Sequence, residues 1–116
     1  MNAPLPEVRF IYITAANKPE AQQIGRTLVQ ERLAACANIF ENMEAIYWWG
    51  DELQETGEVV IIAKTRAELV PALVERVKGM HSYACPCVVS MPIESGNPAY
   101  LEWIVMETRP AETVRG

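Results

Sequence analysis

The sequence predicts an α+β fold in which one antiparallel sheet is covered by helices on one of its faces. Runs of β-branched and aromatic residues alternate with amphipathic stretches in the order β-α-β-β-α-β, and a last helix follows. Only a polar turn separates the second strand from the third, so these two form a hairpin. Helix-start signals precede the amphipathic stretches. Together these observations give two split βαβ units, which is the ferredoxin-like arrangement.

The first strand and the first helix have well-defined signatures. Residues 8–14 are rich in β-branched and aromatic side chains, as strands are. Asn17 then caps a helix through its side chain, Glu20 reaches back as in a capping box, and Pro19 suits a first turn whose N–H groups lack partners. The apolar stripe of this helix recurs at helical spacing: Ala21, Ile24, Leu28 and Val29.

The hairpin is the stretch around which the remaining chain is organised. Its first strand covers residues 36–49, which is 14 residues and would span roughly 46 Å. Residues 50–52 form the turn, and residues 58–65 form the apolar returning strand. A compact domain of this length has a radius of gyration of about 13 Å, so the hairpin outgrows its domain unless it bends at residues 42–43. Its overhanging edges need cover, which further copies of the chain would supply.

After the hairpin, the pattern predicts a helix, a strand and a last helix. Thr65 repeats the capping signal of a helix that stops at Gly79, and Pro71 within it indicates either a kink or a later start. Residues 85–91 form the fourth strand by their β-branched content. Asn97 then caps the third helix.

Composition places the chain among ordinary globular proteins. It has 116 residues, of which 50% are apolar and 22% are charged, and a net charge of −5. The acidic charge argues against nucleic-acid and anionic-membrane partners, which require a basic patch. No apolar run approaches the roughly 20 residues of a membrane span. We expect one domain over residues 1–116, with residues 1–6 and 110–116 loosely held.

The cysteine count indicates the redox compartment. Three cysteines cannot all pair within one chain, and nothing else indicates a secreted disulfide scaffold. The N-terminal segment has no basic stretch followed by an apolar core, so we expect no signal peptide. Reduced thiols and a cytoplasmic location are the expectation.

The most specific local feature is His81-x-x-x-Cys85-x-Cys87. Imidazole and thiolate ligands suit zinc and copper, and residues two apart in a regular strand point to the same side. One intervening residue is fewer than the two to four of most structural zinc sites, and packing as small hydrophobes competes with ligation. Cys36 has the same two alternatives, core filler or soft ligand. The candidate metal residues are therefore His81, Cys36, Cys85 and Cys87.

The aromatic run at the hairpin tip suggests a ligand cleft. Alternation sends Trp48 to the face opposite Tyr47 and Trp49, so both faces need cover, which indicates an interface. Glu58 and Lys64 share a face of the returning strand but lie too far apart to touch. With Tyr83 of the following loop, the candidate cleft residues are Tyr47, Trp49, Glu58, Lys64 and Tyr83. The sequence has no phosphate-binding glycine loop, nucleophile elbow or paired carboxylates, so we expect no catalytic residues and no enzyme.

Five linked motifs resemble one family. They are Ala34-Ala35-Cys36-x-Asn38-Ile39, Tyr47-Trp48-Trp49, Glu58-Val59 through Lys64-Thr65, His81-x-Tyr83-x-x-Pro86 and Gly96-Asn97-Pro98-x-Tyr100-Leu101-x-Trp103. In this order they resemble the CutA proteins, the divalent-cation tolerance family. The resemblance implies a tightly packed homotrimer whose hairpins join sheets between subunits, a likeness to trimeric nitrogen-regulatory signalling proteins, tolerance of copper and other divalent metals, and no obligatory cofactor.

The sequence departs from the family pattern around the histidine. Ser82, Ala84 and Cys87 replace the proline and the two acids that typically follow it, so two carboxylates are lost and one thiol is gained. Positions described as copper ligands in some members correspond to Ile13, Met80 and His81, of which only His81 matches. Met80, Cys85 and Cys87 offer a softer alternative that would suit Cu(I).

Two functional hypotheses follow. The first is a homotrimeric cation-tolerance protein that binds copper or a similar divalent ion weakly near the His81 loop. The second is a non-catalytic signalling or scaffold trimer whose intersubunit clefts bind a small anion, another small ligand or a partner protein.

Overall fold

The elements of the computed structural model, which describes residues 6–109, follow one another in the predicted order. In chain order they are β1 (Val8–Ala15), α1 (Lys18–Gln30), β2 (Cys36–Trp49), β3 (Glu52–Arg66), a 3₁₀ turn (Ala67–Leu69), α2 (Val70–Met80), β4 (Val88–Pro92) and α3 (Pro98–Glu107). The strands form one antiparallel sheet in the order β2-β3-β1-β4. This topology confirms the predicted ferredoxin-like α+β fold. The termini expected to be loose lie, apart from Pro6, outside the described residues.

The main core lies between the sheet and the helices α1 and α2. Alternate residues of β1 and β3 point towards these helices, because successive side chains of a strand face opposite sides. Ile11 and Ile61 on the strands and Ile24, Leu28 and Leu73 on the helices have no exposed surface. Since fully burying one such side chain contributes about 1.5–3 kcal/mol, this layer fixes the orientation of both helices.

The other face of the sheet is only partly covered. At one end, Ile104 and Val105 of α3 pack on Val8 of β1, and the Arg66 guanidinium donates to the Thr108 hydroxyl at 3.0 Å and to its carbonyl at 2.9 Å. The remainder of this face exposes large apolar side chains: Phe40 is 53% exposed, Val89 51% and Met91 45%. An apolar patch of this kind on a folded chain is typical of an interaction surface.

The long hairpin is confirmed. Strand β1 pairs with β3 only between Val59 and Arg66, whereas β2 accompanies β3 to the tip, where Trp49 lies opposite Glu52. We call the two-stranded part, Met43 to Glu58, the arm. A bulge with Asn42 at φ 63° precedes it, but pairing resumes at Met43. The chain therefore measures 56 × 28 × 22 Å with a radius of gyration of 15.6 Å, above the roughly 13 Å of a compact domain of this length.

Three element boundaries differ from the sequence prediction. Strand β3 begins at Glu52 and not at residue 58, because it pairs with β2 along the arm. The second helix, α2, begins at Val70, after the 3₁₀ turn. Thr65 still belongs to β3 and its side chain is fully buried there, so the predicted capping role of Thr65 is wrong. Pro71 lies in the first turn of α2, which confirms the later start. Strand β4 begins at Val88, so Cys85 and Cys87 precede it.

The helix caps form largely as predicted. The Asn17 side chain accepts the Glu20 N–H at 2.9 Å, and Asn97 accepts the Ala99 N–H at 3.2 Å. Glu20 reaches back, but to the N–H of Ala16. None of the helices in the described part of the chain is both long enough and apolar enough to span a bilayer.

Candidate functional site

The loop between α2 and β4, residues 81–87, is fixed by the imidazole of His81. This side chain is fully buried. Its Nε2 lies 2.7 Å from the Thr14 carbonyl oxygen, and its Nδ1 accepts the Tyr83 N–H at 3.0 Å. Because a carbonyl only accepts, Nε2 carries the proton and Nδ1 uses its lone pair. Both ring nitrogens are thus engaged, and the imidazole holds the loop against β1 without presenting a free nitrogen to a metal.

Glu20 provides the second attachment of this loop. Its Oε1 accepts the Ala16 N–H at 2.9 Å, and its Oε2 accepts the Ser82 N–H at 2.7 Å. Although burial alone would raise the pKa of this carboxyl, the hydrogen bonds and the nearby His81 lower it below its ordinary value. One carboxylate therefore joins the first turn of α1 to the loop, and helix capping is the only part of this role that a sequence pattern indicates.

Tyr83 connects the loop to the base of the arm. Its hydroxyl donates to Oε2 of Glu58 at 2.7 Å, and its ring centroid lies 4.8 Å from that of His81. Burial, and then the hydrogen bond to Glu58 and the charge of that carboxylate, raise the pKa of Tyr83 well above its usual range. The phenol therefore remains a hydrogen-bond donor at physiological pH. Glu58 itself is only 9% exposed.

A cavity of about 560 Å³ lies between the loop and the arm. It gathers four of the predicted cleft residues and two of the predicted metal residues, together with three residues that sequence reasoning missed. Its lining is Thr14, Tyr47, Trp49, Gln54, Glu58, Tyr83, Ala84, Cys85 and Cys87. The missed Gln54 lies opposite Tyr47 in the arm, a pairing that a two-residue turn at Gly50-Asp51 predicts.

Cys85 and Cys87 reach the same cavity although they are not part of a strand. Both are free thiols on the exposed surface of the chain. The Cys87 carbonyl accepts the Thr14 N–H at 3.4 Å, which positions this residue beside β1. Partial burial, and then the charge of Glu58, raise the pKa of Cys87. Its thiol is consequently protonated at neutral pH and must lose that proton to bind a metal ion.

Lys64 and Cys36 form a separate cluster away from the cavity. The Lys64 ammonium donates to Oδ1 of Asn38 at 2.8 Å and lies 3.7 Å from the Cys36 sulfur. The Tyr100 hydroxyl of α3 is 3.7 Å from the same sulfur. The structure thus separates Lys64 from the other predicted cleft residues and Cys36 from the other predicted metal residues.

The four predicted metal residues do not converge on one point. Within residues 6–109, no three His, Cys, Asp or Glu side chains lie close enough together to enclose a metal ion. His81 is engaged by Thr14 and Tyr83, and Cys36 lies with Lys64. Of the four predicted donors, Cys85 and Cys87 remain in the cavity, and thiolates suit a soft monovalent ion better than a hard divalent one.

The fold and this site define a class: a small antiparallel-sheet protein with an overhanging hairpin arm and a cavity at its base. The family model described as CutA1 divalent ion tolerance protein matches residues 9–107. The chain belongs to the CutA1 family.

Individual relatives agree with this assignment. The divalent-cation tolerance protein CutA of Archaeoglobus fulgidus is 42% identical over 95 residues, covering 82% of this chain and 92% of the relative. The chloroplastic protein CutA 1 of rice is 41% identical over 99 residues, covering 85% of this chain but only 56% of the relative. The chain thus spans about half the length of the rice protein.

A solved structure shows the same fold. It is titled as the periplasmic divalent cation tolerance protein CutA from Archaeoglobus fulgidus, and its TM-score is 0.85 at 39% identity. The superposition covers 88% of this chain and 99% of the other. These names describe tolerance proteins.

Replacing Glu20 by glutamine should change the acid sensitivity of the fold. Because the folded state lowers the pKa of Glu20, its carboxylate stabilises the protein above its ordinary value of 4.5, and this contribution is lost as the pH falls through the folded pKa. We expect Glu20→Gln to reduce the unfolding free energy by about 1 kcal/mol at neutral pH and to flatten its decline in acid. Urea denaturation at several pH values measures both.

The matched control is Glu75→Gln, since the Glu75 side chain is 73% exposed and its one ion pair within residues 6–109 is with Lys78. This variant should follow the wild-type curve. If wild type and Glu20→Gln lose stability equally on acidification, Glu20 does not hold the loop electrostatically.

Proposed function

We propose that this chain is a homotrimeric, non-catalytic cation-tolerance protein that binds copper at the cavity beside the His81 loop. The observation that carries the proposal is the position of Cys85 and Cys87, two thiols that line one cavity at the base of the arm. Family membership supports a role in divalent-cation tolerance. The thiols themselves favour copper as Cu(I), which soft ligands select.

The residues present fit a weakly held ion. Two thiolates would form the ligand set, while His81 acts only by holding the loop that carries them. Fewer ligands than the four of a structural zinc site imply weaker binding, as expected of a protein that exchanges the ion. Each thiol must be deprotonated to bind the ion. Because the pKa of Cys87 is raised, the fraction of its thiolate form at neutral pH is small. Affinity should therefore increase with pH.

Anaerobic titration of the reduced protein with Cu(I), against a competing chelator, tests this site. We expect Cys85→Ser and Cys87→Ser each to weaken binding by at least about tenfold, since even the loss of an outer partner of a ligand costs 10–100-fold. Cys36→Ser is the control, because that thiol lies beside Lys64. Wild-type affinity should also rise between about pH 6 and 8. Equal affinities of the wild type and the three variants for Cu(I) would contradict a copper site at Cys85 and Cys87.

The trimer is proposed from the uncovered surface of the sheet. Phe40, Val89 and Met91 are exposed there, and Ile46, Trp48 and Leu53 are exposed on the arm. Burying apolar area contributes about 25 cal/mol per Å², so association would stabilise both surfaces. The arm would then be sheltered by neighbouring copies, as its length requires.

Sedimentation equilibrium tests the assembly. The wild type should have three times the 13.0 kDa of one chain. Met91→Glu places a charge on the exposed face and should shift the mass towards that of a single chain, because burying an unpaired charge is costly. Gln23→Glu on the exposed side of α1 should remain trimeric. A wild-type protein with the mass of one chain would contradict the proposal.

We also propose a cytoplasmic location. The three free thiols support it, because oxidising compartments favour disulfides. The related Archaeoglobus structure is titled periplasmic, so cell fractionation with an antibody is the decisive measurement. Recovery in an extracytoplasmic fraction would contradict this proposal.

A second function rests on the aromatic side of the same cavity. Tyr47, Trp49, Glu58 and Tyr83 all line it, as they would in a signalling or scaffold trimer that binds a small ligand. The cavity volume lies within the roughly 300–1,000 Å³ of small-molecule sites. A thermal-shift screen separates the functions, because a bound ligand stabilises in proportion to its occupancy. Stabilisation by copper alone would leave the second function unsupported.

A further inference from the structure

The imidazole of His81 is held by two bonds, one of which requires the neutral ring. It is the only histidine of the chain, and histidine is the side chain that normally gains a proton between about pH 8 and pH 5. In the neutral ring, Nε2 donates to the Thr14 carbonyl and Nδ1 accepts the Tyr83 N–H. Protonation would turn Nδ1 into a donor that faces the N–H of Tyr83. Because two donors repel each other, the bond to Tyr83 would then be lost.

An alternative partner for the protonated ring lies close to the same nitrogen. Oε2 of Glu20 is 3.8 Å from Nδ1 of His81, which is about 1 Å longer than a charge-assisted hydrogen bond. Although burial alone would raise the pKa of Glu20, its hydrogen bonds with Ala16 and Ser82 lower this pKa below the ordinary value of 4.5. The carboxylate is therefore negative in mild acid. Tyr83 suits the neutral ring, and Glu20 suits the charged one.

The other groups around the imidazole do not offer it a charge. From β1 it meets the Thr14 carbonyl, and from the loop it meets the Tyr83 ring at 4.8 Å between centroids. Within residues 6–109, Glu20 is the one charged group at ion-pair distance from it. Further away, Glu58 of β3 accepts the Tyr83 hydroxyl.

His81 also differs from the cavity lining in its burial. Its side chain has no exposed surface within one chain. Copies that cover the open face of the sheet and the arm would therefore add no direct contact to the ring. Lys78, the basic residue in the last turn of α2, pairs with Glu75. The choice between Tyr83 and Glu20 is thus made inside a single chain.

We propose that protonation of His81 is a switch that moves Nδ1 from the Tyr83 N–H to the Glu20 carboxylate and so releases residues 83–86 from β1. The Nε2–H would keep its bond to Thr14 and act as the pivot. A buried imidazolium is costly without a negative partner, and this cost drives the movement towards Glu20. The device is a pH-sensitive loop attachment, because one proton changes which of two partners is bound.

The switch has a consequence for the cavity. Residues 83–86 include Tyr83, which bonds to Glu58 at the base of the arm, and Cys85, which lines the cavity. Their release would loosen the cavity wall in mild acid. This consequence for copper rests on the function proposed above, whereas the switch itself requires no ligand.

Nuclear magnetic resonance of the reduced, metal-free protein between about pH 7.5 and pH 5 tests the switch. The ring nitrogens of a single histidine report its protonation unambiguously. We expect the ring to become an imidazolium, and the hydrogen-exchange protection factor of the Tyr83 amide to fall about tenfold at the same midpoint. The Ile93 amide is the control, because it donates to the Val8 carbonyl, and its protection factor should stay constant.

Two results on the wild type would overturn the proposal without any variant. One is a His81 ring that is still neutral at about pH 5. The other is a protonated ring with unchanged protection of the Tyr83 amide, which would show that the loop does not depend on the neutral ring.

Variants then assign the negative partner. Glu20→Gln keeps the shape of the side chain but removes its charge, so the midpoint of the His81 titration should fall by about one pH unit. Glu75→Gln is the matched control on α2, since the exposed Glu75 pairs with Lys78, and it should titrate as the wild type does. An unchanged midpoint in Glu20→Gln, with the wild-type circular dichroism spectrum, would contradict the assignment of Glu20.

The switch and the copper site fail separately. A loop that switches in a protein without Cu(I) affinity would support the switch and reject the copper site. Binding of Cu(I) by a protein whose His81 stays neutral in mild acid would support the copper site and reject the switch.

Discussion

The constraint on which the structure depends is the unequal length of the paired strands. Strand β1 has 8 residues and β3 has 15, so β1 can accompany β3 over about half of its length. Pairing ends where Ala15 lies opposite Val59. Beyond this point the hairpin has strand partners on one side only, and its backbone and faces need other cover. The next residue towards the tip is Glu58, so the cavity begins where β1 ends.

The loop between α2 and β4 occupies the space that the short strand leaves. It contains no regular structure, so its conformation depends on specific hydrogen bonds from other elements. His81 attaches it to the Thr14 carbonyl of β1, and Glu20 attaches it to the first turn of α1. Fixing each loop residue costs about 1–2 kcal/mol of conformational entropy. The two attachments act against this cost and so maintain the shape of the cavity wall. The histidine and the glutamate thus position the thiols and Tyr83 without lining the cavity themselves.

Local patterns predicted most of the fold, whereas the site depends on distant pairs. Strand β2 could be predicted to the residue because an apolar run, a glycine turn and a returning run are all local signals. Alternation likewise placed Tyr47 and Trp49 on one face. The bond between Glu20 and Ser82 joins residues 62 apart, and that between His81 and Thr14 joins residues 67 apart. No periodicity carries such information, so the sequence predicts a ligand role for His81, whereas in the structure both of its ring nitrogens hold the loop.

Lys64 shows that two residues on the same face of a strand can still lie far apart along it. Alternation correctly places Lys64 and Glu58 on one face of β3, but six residues of strand separate them by roughly 20 Å. The lysine therefore reaches Asn38 and Cys36 at the far end of the strand. With Lys64 absent from the cavity, the negative charge of Glu58 has no basic neighbour among the lining residues. After burial, the charge of Glu58 is the second factor that raises the pKa of Cys87, and the same charge attracts positive ligands. The chemistry of the cavity therefore favours a cation, as in the first functional hypothesis, over the small anion of the second.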